Sequence, residues 1–190
     1  MPKYLPVTWG EVYEATARIA ASIKIKGEGF DAVLGIARGG WVPARLLSDF
    51  LSVRRLVSVQ IESYDNEVKG SLRLLEDVPA ELIDSRLLLV DDISDSGSSL
   101  IAIIDALRRS GATKFRTATL YTKPWSKLVP DYFFKEVSEW VVFPWELVET
   151  LSPKAKPGAD VSRLGSEIGV DAGLTGLVEM VLDAKGKSRE

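Results

Sequence analysis

The sequence predicts an α/β protein: a mainly parallel central sheet with helices on both faces. Two observations carry this. Short apolar runs of buried-strand type occur at 32–37, 56–61, 87–90 and 115–121. Helical stretches lie between them, the clearest at 98–109, where Leu100, Ile103, Ile104 and Leu107 recur on one face. Strands that are apolar throughout and alternate with amphipathic helices belong to a parallel sheet buried on both sides.

The elements follow in order. Thr8 precedes the first helix and Glu11 stands three residues on, as a capping box requires; Ile19, Ala20 and Ile23 then share a face. The strand 32–37 leads through Gly39 and Gly40 into a helix that Pro43 opens, in the first-turn position proline tolerates, and that runs to Phe50. After the strand 56–61, residues 62–78 are polar and mixed and read as a long mobile loop or a loose hairpin. The strand 87–90 and the helix 98–109 come next, and Gly111 stops that helix. The strand 115–121 and two short strands, 132–137 and 140–143, complete a domain spanning 1–150. Residues 151–160, with the run SPKAKPGAD, read as a linker. Residues 161–190 form a small helical extension, with two short helices over 161–183 broken around 169–173. In such sheets ligands bind beyond the carboxyl ends of the strands. Chemistry is therefore expected in the loops after residues 37, 61, 90 and 121.

Composition narrows that chemistry. The chain has 190 residues, 46% hydrophobic, with a net charge of −3. This suffices for one domain with a short appendage and offers no basic footprint for nucleic acid. There is no cysteine and no histidine, so no thiolate and no imidazole base is at hand. Acid–base work falls to carboxylates, Lys or Tyr, and any metal is a hard one held by oxygens. The start, MPKYLPVTWGEVYE, lacks an apolar signal core, and no stretch is long and apolar enough to span a membrane. These features point to a cytoplasmic protein.

The segment Leu87-Leu88-Leu89-Val90-Asp91-Asp92-Ile93-Ser94-Asp95-Ser96-Gly97-Ser98-Ser99 has a physical logic of its own. An apolar strand ends at two adjacent carboxylates; a third carboxylate and small hydroxyl residues lead into a helix. Small residues let backbone N–H groups approach an anion, and the helix N-terminus adds partial positive charge. Three carboxylates in five residues repel one another, and a cation or a polyhydroxyl ligand would engage them. The plainer alternative is a solvated turn in which Asp95 or Ser96 caps the helix.

VDDISDSGSS resembles the signature of type I phosphoribosyltransferases that binds phosphoribosyl pyrophosphate (PRPP). From Val7-Thr8-Trp9 to Pro144-Trp145-Glu146 the chain is similar, in order, to the bacterial xanthine-guanine phosphoribosyltransferases, and the tail lies outside the likeness. The resemblance implies the type I phosphoribosyltransferase fold with a small hood. It implies transfer of a phosphoribosyl group from PRPP to a purine base, giving a purine nucleoside monophosphate and pyrophosphate, with Mg²⁺ as cofactor. Asp91 and Asp92 would hold the ribose hydroxyls and help site the metal. Asp95, Ser96, Gly97, Ser98 and Ser99 would bind the 5′-phosphate, with Asp95 also managing the proton on purine N7. Arg38, Gly39 and Gly40 match the pyrophosphate loop, Arg38 gripping the leaving group and the glycines permitting unusual torsions; Ala37 replaces the family serine there. Ser63 and Tyr64 match the mobile loop that closes over the substrates. Lys123 would donate to the purine 6-oxo group, Trp140 would stack on the ring, and the Val141 carbonyl would face the exocyclic group.

A 6-oxopurine is therefore the favoured base, because an ammonium donates only and suits O6 rather than an amino group. An adenine enzyme on the same scaffold, or a nucleotide-binding regulator with little activity, are the alternatives. A DNA-binding role for the tail is disfavoured by its few basic residues. Family likeness also implies a homodimer or homotetramer, with no membrane or nucleic-acid partner.

Overall fold

The computed structural model describes residues 3–64, 71–74, 79–152 and 161–187. In chain order the elements are β1 (Tyr4–Pro6), α1 (Trp9–Ile25), β2 (Ala32–Ala37), α2 (Trp41–Phe50), β3 (Leu56–Tyr64), β4 (Ser71–Leu74), β5 (Leu87–Ser94), α3 (Ser98–Arg109), β6 (Phe115–Thr122), β7 (Tyr132–Glu136), β8 (Trp140–Val142), α4 (Leu147–Leu151), α5 (Val161–Ile168) and α6 (Ala172–Lys187), with a single 3₁₀ turn at Ala80–Leu82. They gather into two compact units, one of Val12–Ser138 and one of Met1–Glu11 with Glu139–Glu190.

The unit Val12–Ser138 is built on a six-stranded sheet of order β4-β3-β2-β5-β6-β7, in which every neighbouring pair is parallel except β3 and β4. On one face Leu34, Ile36, Leu87 and Leu89 pack against Leu100, Ile103 and Leu107 of α3. Each such side chain, fully buried, contributes roughly 1.5–3 kcal/mol. The next position along β2 turns to the other face, where a side chain on Gly35 would come 2.9 Å from the Ala44 methyl of α2. This is the expected parallel sheet covered on both sides, with its strands ending on one common edge.

Three local differences from the sequence reading bear on function. The central strand β5 does not stop at Val90 but continues through Asp91 and Asp92 to Ser94, because the ladder with β6 holds it: Asp91 pairs with Thr119, Ile93 with Tyr121 and Ser94 with Thr122. Carboxylates are poor strand formers, and tertiary pairing overrides that preference. Next, β3 does not stop at Ile61 but runs to Tyr64 and pairs antiparallel with β4, Ser63 with Leu72 and Tyr64 with Ser71, which is the hairpin alternative for the stretch 62–78. The expected mobility of this stretch falls on residues 65–70 and 75–78, outside the described residues. Finally, α2 starts at Trp41, two residues before Pro43.

In the second unit, β1 and β8 pair in parallel, Tyr4 with Trp140 and Leu5 with Val141. Thr8 and Glu11 form the expected capping box, the Thr8 amide donating to Glu11 Oε2 at 2.8 Å and the Glu11 amide to Thr8 Oγ1 at 3.2 Å. An apolar cluster of Val142, Leu147, Leu151, Val161, Ile168 and Val178 ties α4, α5 and α6 to β8. The break between the last two helices is tighter than 169–173. Gly169 turns the chain at φ 89°, and the Asp171 carboxylate caps α6 by accepting from the Leu174 amide at 3.1 Å, so Gly173 sits inside the helix. Residues 153–160 of the linker lie outside the described residues.

Candidate active site

A cavity of about 240 Å³ opens at the carboxyl end of β5, lined by residues 91–100. The sequence places this wall deliberately: an apolar strand buried between β2 and β6 carries polar groups only where it emerges.

Asp91 and Asp92 are both only 9% exposed. Each carboxylate accepts from the amide that follows it, Asp91 Oδ1 from the Asp92 N–H at 3.0 Å and Asp92 Oδ1 from the Ile93 N–H at 2.8 Å. Burial, and then the neighbouring charge of Asp92, push the Asp91 carboxyl well above its ordinary range. A buried, mutually repelling acid pair is a costly arrangement for a protein alone.

Beyond the pair, the chain turns through Asp95 and Ser96 to Gly97, which caps α3 in the left-handed region at φ 78° and offers its helix no side-chain hydrogen bond. The cap position is thus Gly97 and not Asp95 or Ser96, although Ser96 Oγ accepts from the Ser98 amide at 3.3 Å at the start of the helix. Glycine is needed here twice over: by the torsion, and because a side chain would come 2.8 Å from the Leu128 amide nitrogen. Ser96 Oγ donates to Ser98 Oγ at 2.9 Å. The start of α3 thus borders the cavity among the hydroxyls of Ser96, Ser98 and Ser99.

The turn after β2 lies against the same strand end. The Gly40 amide donates to the Ile36 carbonyl at 2.8 Å and the Trp41 amide to the Arg38 carbonyl at 3.2 Å, leaving Arg38 exposed. The two glycines serve here by their size rather than by unusual torsions, since neither has a positive φ. A side chain on Gly39 would overlap the Asp92 carboxylate, and one on Gly40 would overlap the Val90 carbonyl. The turn is thus packed directly against the acid pair.

The segment after β6, which begins at Lys123, is hydrogen-bonded to the lining segment. Lys123 is 5% exposed, and its amide donates to the Ser94 carbonyl at 3.0 Å. Ser126 Oγ lies 2.9 Å from Ser94 Oγ, Ser94 Oγ donates to the Leu128 carbonyl at 2.9 Å, and the Lys127 amide donates to the Ser96 carbonyl at 3.2 Å. Trp125 donates its indole N–H to Asp95 Oδ1 at 3.0 Å and lies with its ring centroid 5.3 Å from Lys123 Nζ. The structure therefore brings together Arg38, Gly39, Gly40, Asp91, Asp92, Asp95, Ser96, Gly97, Ser98, Ser99 and Lys123 around the strand ends of one unit. Trp125 and Ser126 went unnoticed; the one signal was their place just past a strand end. Trp140 and Val141 belong to the other unit, on β8, the first 58% exposed and the second buried. Ser63 and Tyr64 close β3.

A larger cavity, about 390 Å³, opens at the amino ends of β2, β5 and β6, among residues that include Glu28, Arg86, Lys114 and Arg116. Its guanidinium groups are already paired, Arg86 with Asp31 and Arg116 with Glu28 and Asp131. It lies at the wrong end of the strands for a ligand site of this architecture.

Comparison with known proteins agrees with this geometry. Residues 8–149 match the phosphoribosyl transferase domain family. A purine phosphoribosyltransferase from Pyrococcus horikoshii is 32% identical over 75% of this chain and 93% of its own, with a TM-score of 0.69. A xanthine-guanine-hypoxanthine phosphoribosyltransferase from Helicobacter pylori is 24% identical over 80% of this chain and 99% of its own, at 0.68. A Neisseria gonorrhoeae protein solved with bound ppGpp is 24% identical over 77% and 90%, at 0.67. No described helix is long and apolar enough to cross a membrane.

Proposed function

The chain belongs to the phosphoribosyltransferase family of glycosyltransferases, and from that premise we propose that it joins a purine base to the ribose of PRPP and favours 6-oxopurines. The purine part rests on the likeness to the Pyrococcus horikoshii enzyme. The preference rests on one observation: Asp95, freed from capping duty, and Lys123 stand on two loops that are hydrogen-bonded to each other beside the phosphate cradle.

In this reading the first-turn amides of α3 and the hydroxyls of Ser96, Ser98 and Ser99 hold the 5′-phosphate. Asp91 and Asp92 take the ribose hydroxyls, and Arg38 pairs with the pyrophosphate through its planar fork. The bond from the anomeric carbon to pyrophosphate breaks with its electron pair on the departing oxygen, and a purine nitrogen supplies the new bond with inversion. The ring proton, carried on N7, passes to Asp95. Lys123 donates to O6, and Trp140 and Val141 remain assigned to the base by resemblance.

The acid pair fits Mg²⁺: two adjacent hard-oxygen donors with raised mutual repulsion, and among the described residues no cluster of three metal-ligating side chains that would make a protein-only cage. Mg²⁺ is commonly held by one or two carboxylates plus substrate phosphates. When bound, it would neutralise charge on the leaving pyrophosphate. Positioning and electrostatics then supply most of the catalysis.

An absorbance assay with PRPP and Mg²⁺ against guanine, hypoxanthine, xanthine and adenine tests this. A 6-oxopurine should be used at least roughly tenfold faster than adenine, because a stranded ammonium facing an amino group costs about 1–3 kcal/mol, and Lys123→Ala should narrow that gap. Faster use of adenine than of every 6-oxopurine overturns the preference.

A further inference from the structure

We infer that Trp125 is a positioning residue for both polar groups assigned to the base, and so a determinant of rate and of base choice; the inference rests on the functional reading above. Trp125 is 57% exposed, so core packing does not account for a side chain of this size at the site. Its indole N–H donates to Asp95 Oδ1 at 3.0 Å, and its ring lies 5.3 Å from the Lys123 ammonium, within cation–π range. One side chain thus touches the group that receives a proton and the group that reads O6.

The chemistry of the indole decides what it does to Asp95. An indole N–H donates and cannot accept, so Oδ1 must keep a lone pair turned toward it. A proton arriving from the purine is then directed to Oδ2, and the carboxylate is held in one rotation for the next encounter. The segment that carries Trp125 is itself fixed. The Ser126 amide donates to the Lys123 carbonyl at 3.0 Å, Ser126 Oγ meets Ser94 Oγ, and the Lys127 amide donates to the Ser96 carbonyl. The indole therefore transmits the position of the phosphate loop to the base-reading groups.

Two variants separate its contacts. Trp125→Phe keeps a ring beside Lys123 and deletes only the donor; Trp125→Ala deletes both. With PRPP and Mg²⁺ saturating, kcat for guanine in Trp125→Phe should fall about tenfold, the scale of one hydrogen bond to a charged acceptor. PRPP affinity by calorimetry, the thermal midpoint and the ratio of 6-oxopurine to adenine turnover should hold at wild-type values. Trp125→Ala should also narrow that ratio. The deciding measurement is a cycle with Asp95→Ala: in that background Trp125→Phe should change kcat less than about twofold, since the carboxylate it serves is gone. A full additive loss overturns the proposal. So does a rise in KM for the base with kcat unchanged, which would mean that the indole touches the base itself. If the wild type makes nucleotide from no purine, the functional reading falls and this inference with it, and the silent wild type identifies that outcome.

Discussion

Replacing Gly39 by alanine would set a β-carbon against the carboxylate of Asp92, with Cγ at 2.5 Å and Oδ1 at 2.8 Å. The obstacle is the end of a side chain, so Asp92 can rotate away. An off-rotamer turn costs about 0.5–1.5 kcal/mol, and the fold should survive it. Binding should not survive intact. Asp92 leaves the place from which, in the proposed function, it meets the ribose and the metal, and losing hydrogen bonds to a charged group costs about 1.5–3 kcal/mol, which is roughly 10–100-fold in PRPP affinity. Gly40→Ala is the matched control. There the new atom meets backbone, the carbonyl oxygen of Val90 and the Ile36 oxygen and nitrogen at 2.7 and 2.9 Å. Backbone in the middle of two strands cannot step aside, so overpacking of about 1–3 kcal/mol appears as a fall in Tm of roughly 2–12 °C for a chain of this size. Isothermal calorimetry with PRPP and Mg²⁺, read beside thermal unfolding of the free protein, separates the two. Wild-type PRPP affinity in Gly39→Ala would refute the reasoning, as would a Tm loss there equal to that of Gly40→Ala.

Asp95→Ala should lower turnover by about 10²–10⁴, the usual contribution of a general acid–base group, while PRPP affinity and Tm stay put, because Gly97 rather than Asp95 caps α3; a loss below threefold removes Asp95 from the chemistry. Asp91→Asn should raise the Tm of the free protein, because it replaces a carboxyl whose ionised form burial and the neighbouring Asp92 disfavour, and by the proposed function the same variant should bind PRPP more weakly; a lower Tm in differential scanning calorimetry contradicts the account of the pair. Arg86 donates to both oxygens of Asp31 and through its own amide, holding the carboxyl down at about 2 from an ordinary 3.8. A depressed carboxyl stabilises above its unfolded value and loses that effect as pH falls through the folded one. The Tm difference between wild type and Asp31→Asn should therefore be full at pH 7 and shrink as pH falls from 3.8 toward 2; a difference that persists unchanged across that window rules the pair out as its source.

The sheet was legible because its strands are apolar throughout, and α3 because its four buried residues repeat at helical spacing. The acid pair and the small-residue loop after it stand out in the sequence because three carboxylates in five residues have no plain structural reason. What escaped depends on partners far along the chain. β5 runs past Val90 because β6 offers a ladder to Asp91 through Ser94, and nothing within the segment announces this. β1 is three residues long and exists because β8 pairs with it. The sequence suggests conformational freedom at Gly39 and Gly40, yet they leave room for Asp92 and Val90, a contact between the turn after β2 and strand β5. Trp125 belongs to no motif, and its partner Asp95 is 30 residues away in sequence.

The pairing of β5 has one consequence for how the molecule checks its own assembly. Gly35 stands level with Val90, and Asp91 level with Thr119, in a register where a slip of a single residue would send every side chain of β5 to the opposite face. A slipped strand would still bury leucines on either side and so would be hard to reject on apolar grounds alone. It would, however, point the wrong carboxylate at the turn after β2 and lose the pocket. If PRPP binds here as proposed, it binds only the correctly registered sheet and by mass action would stabilise that register over any slipped one.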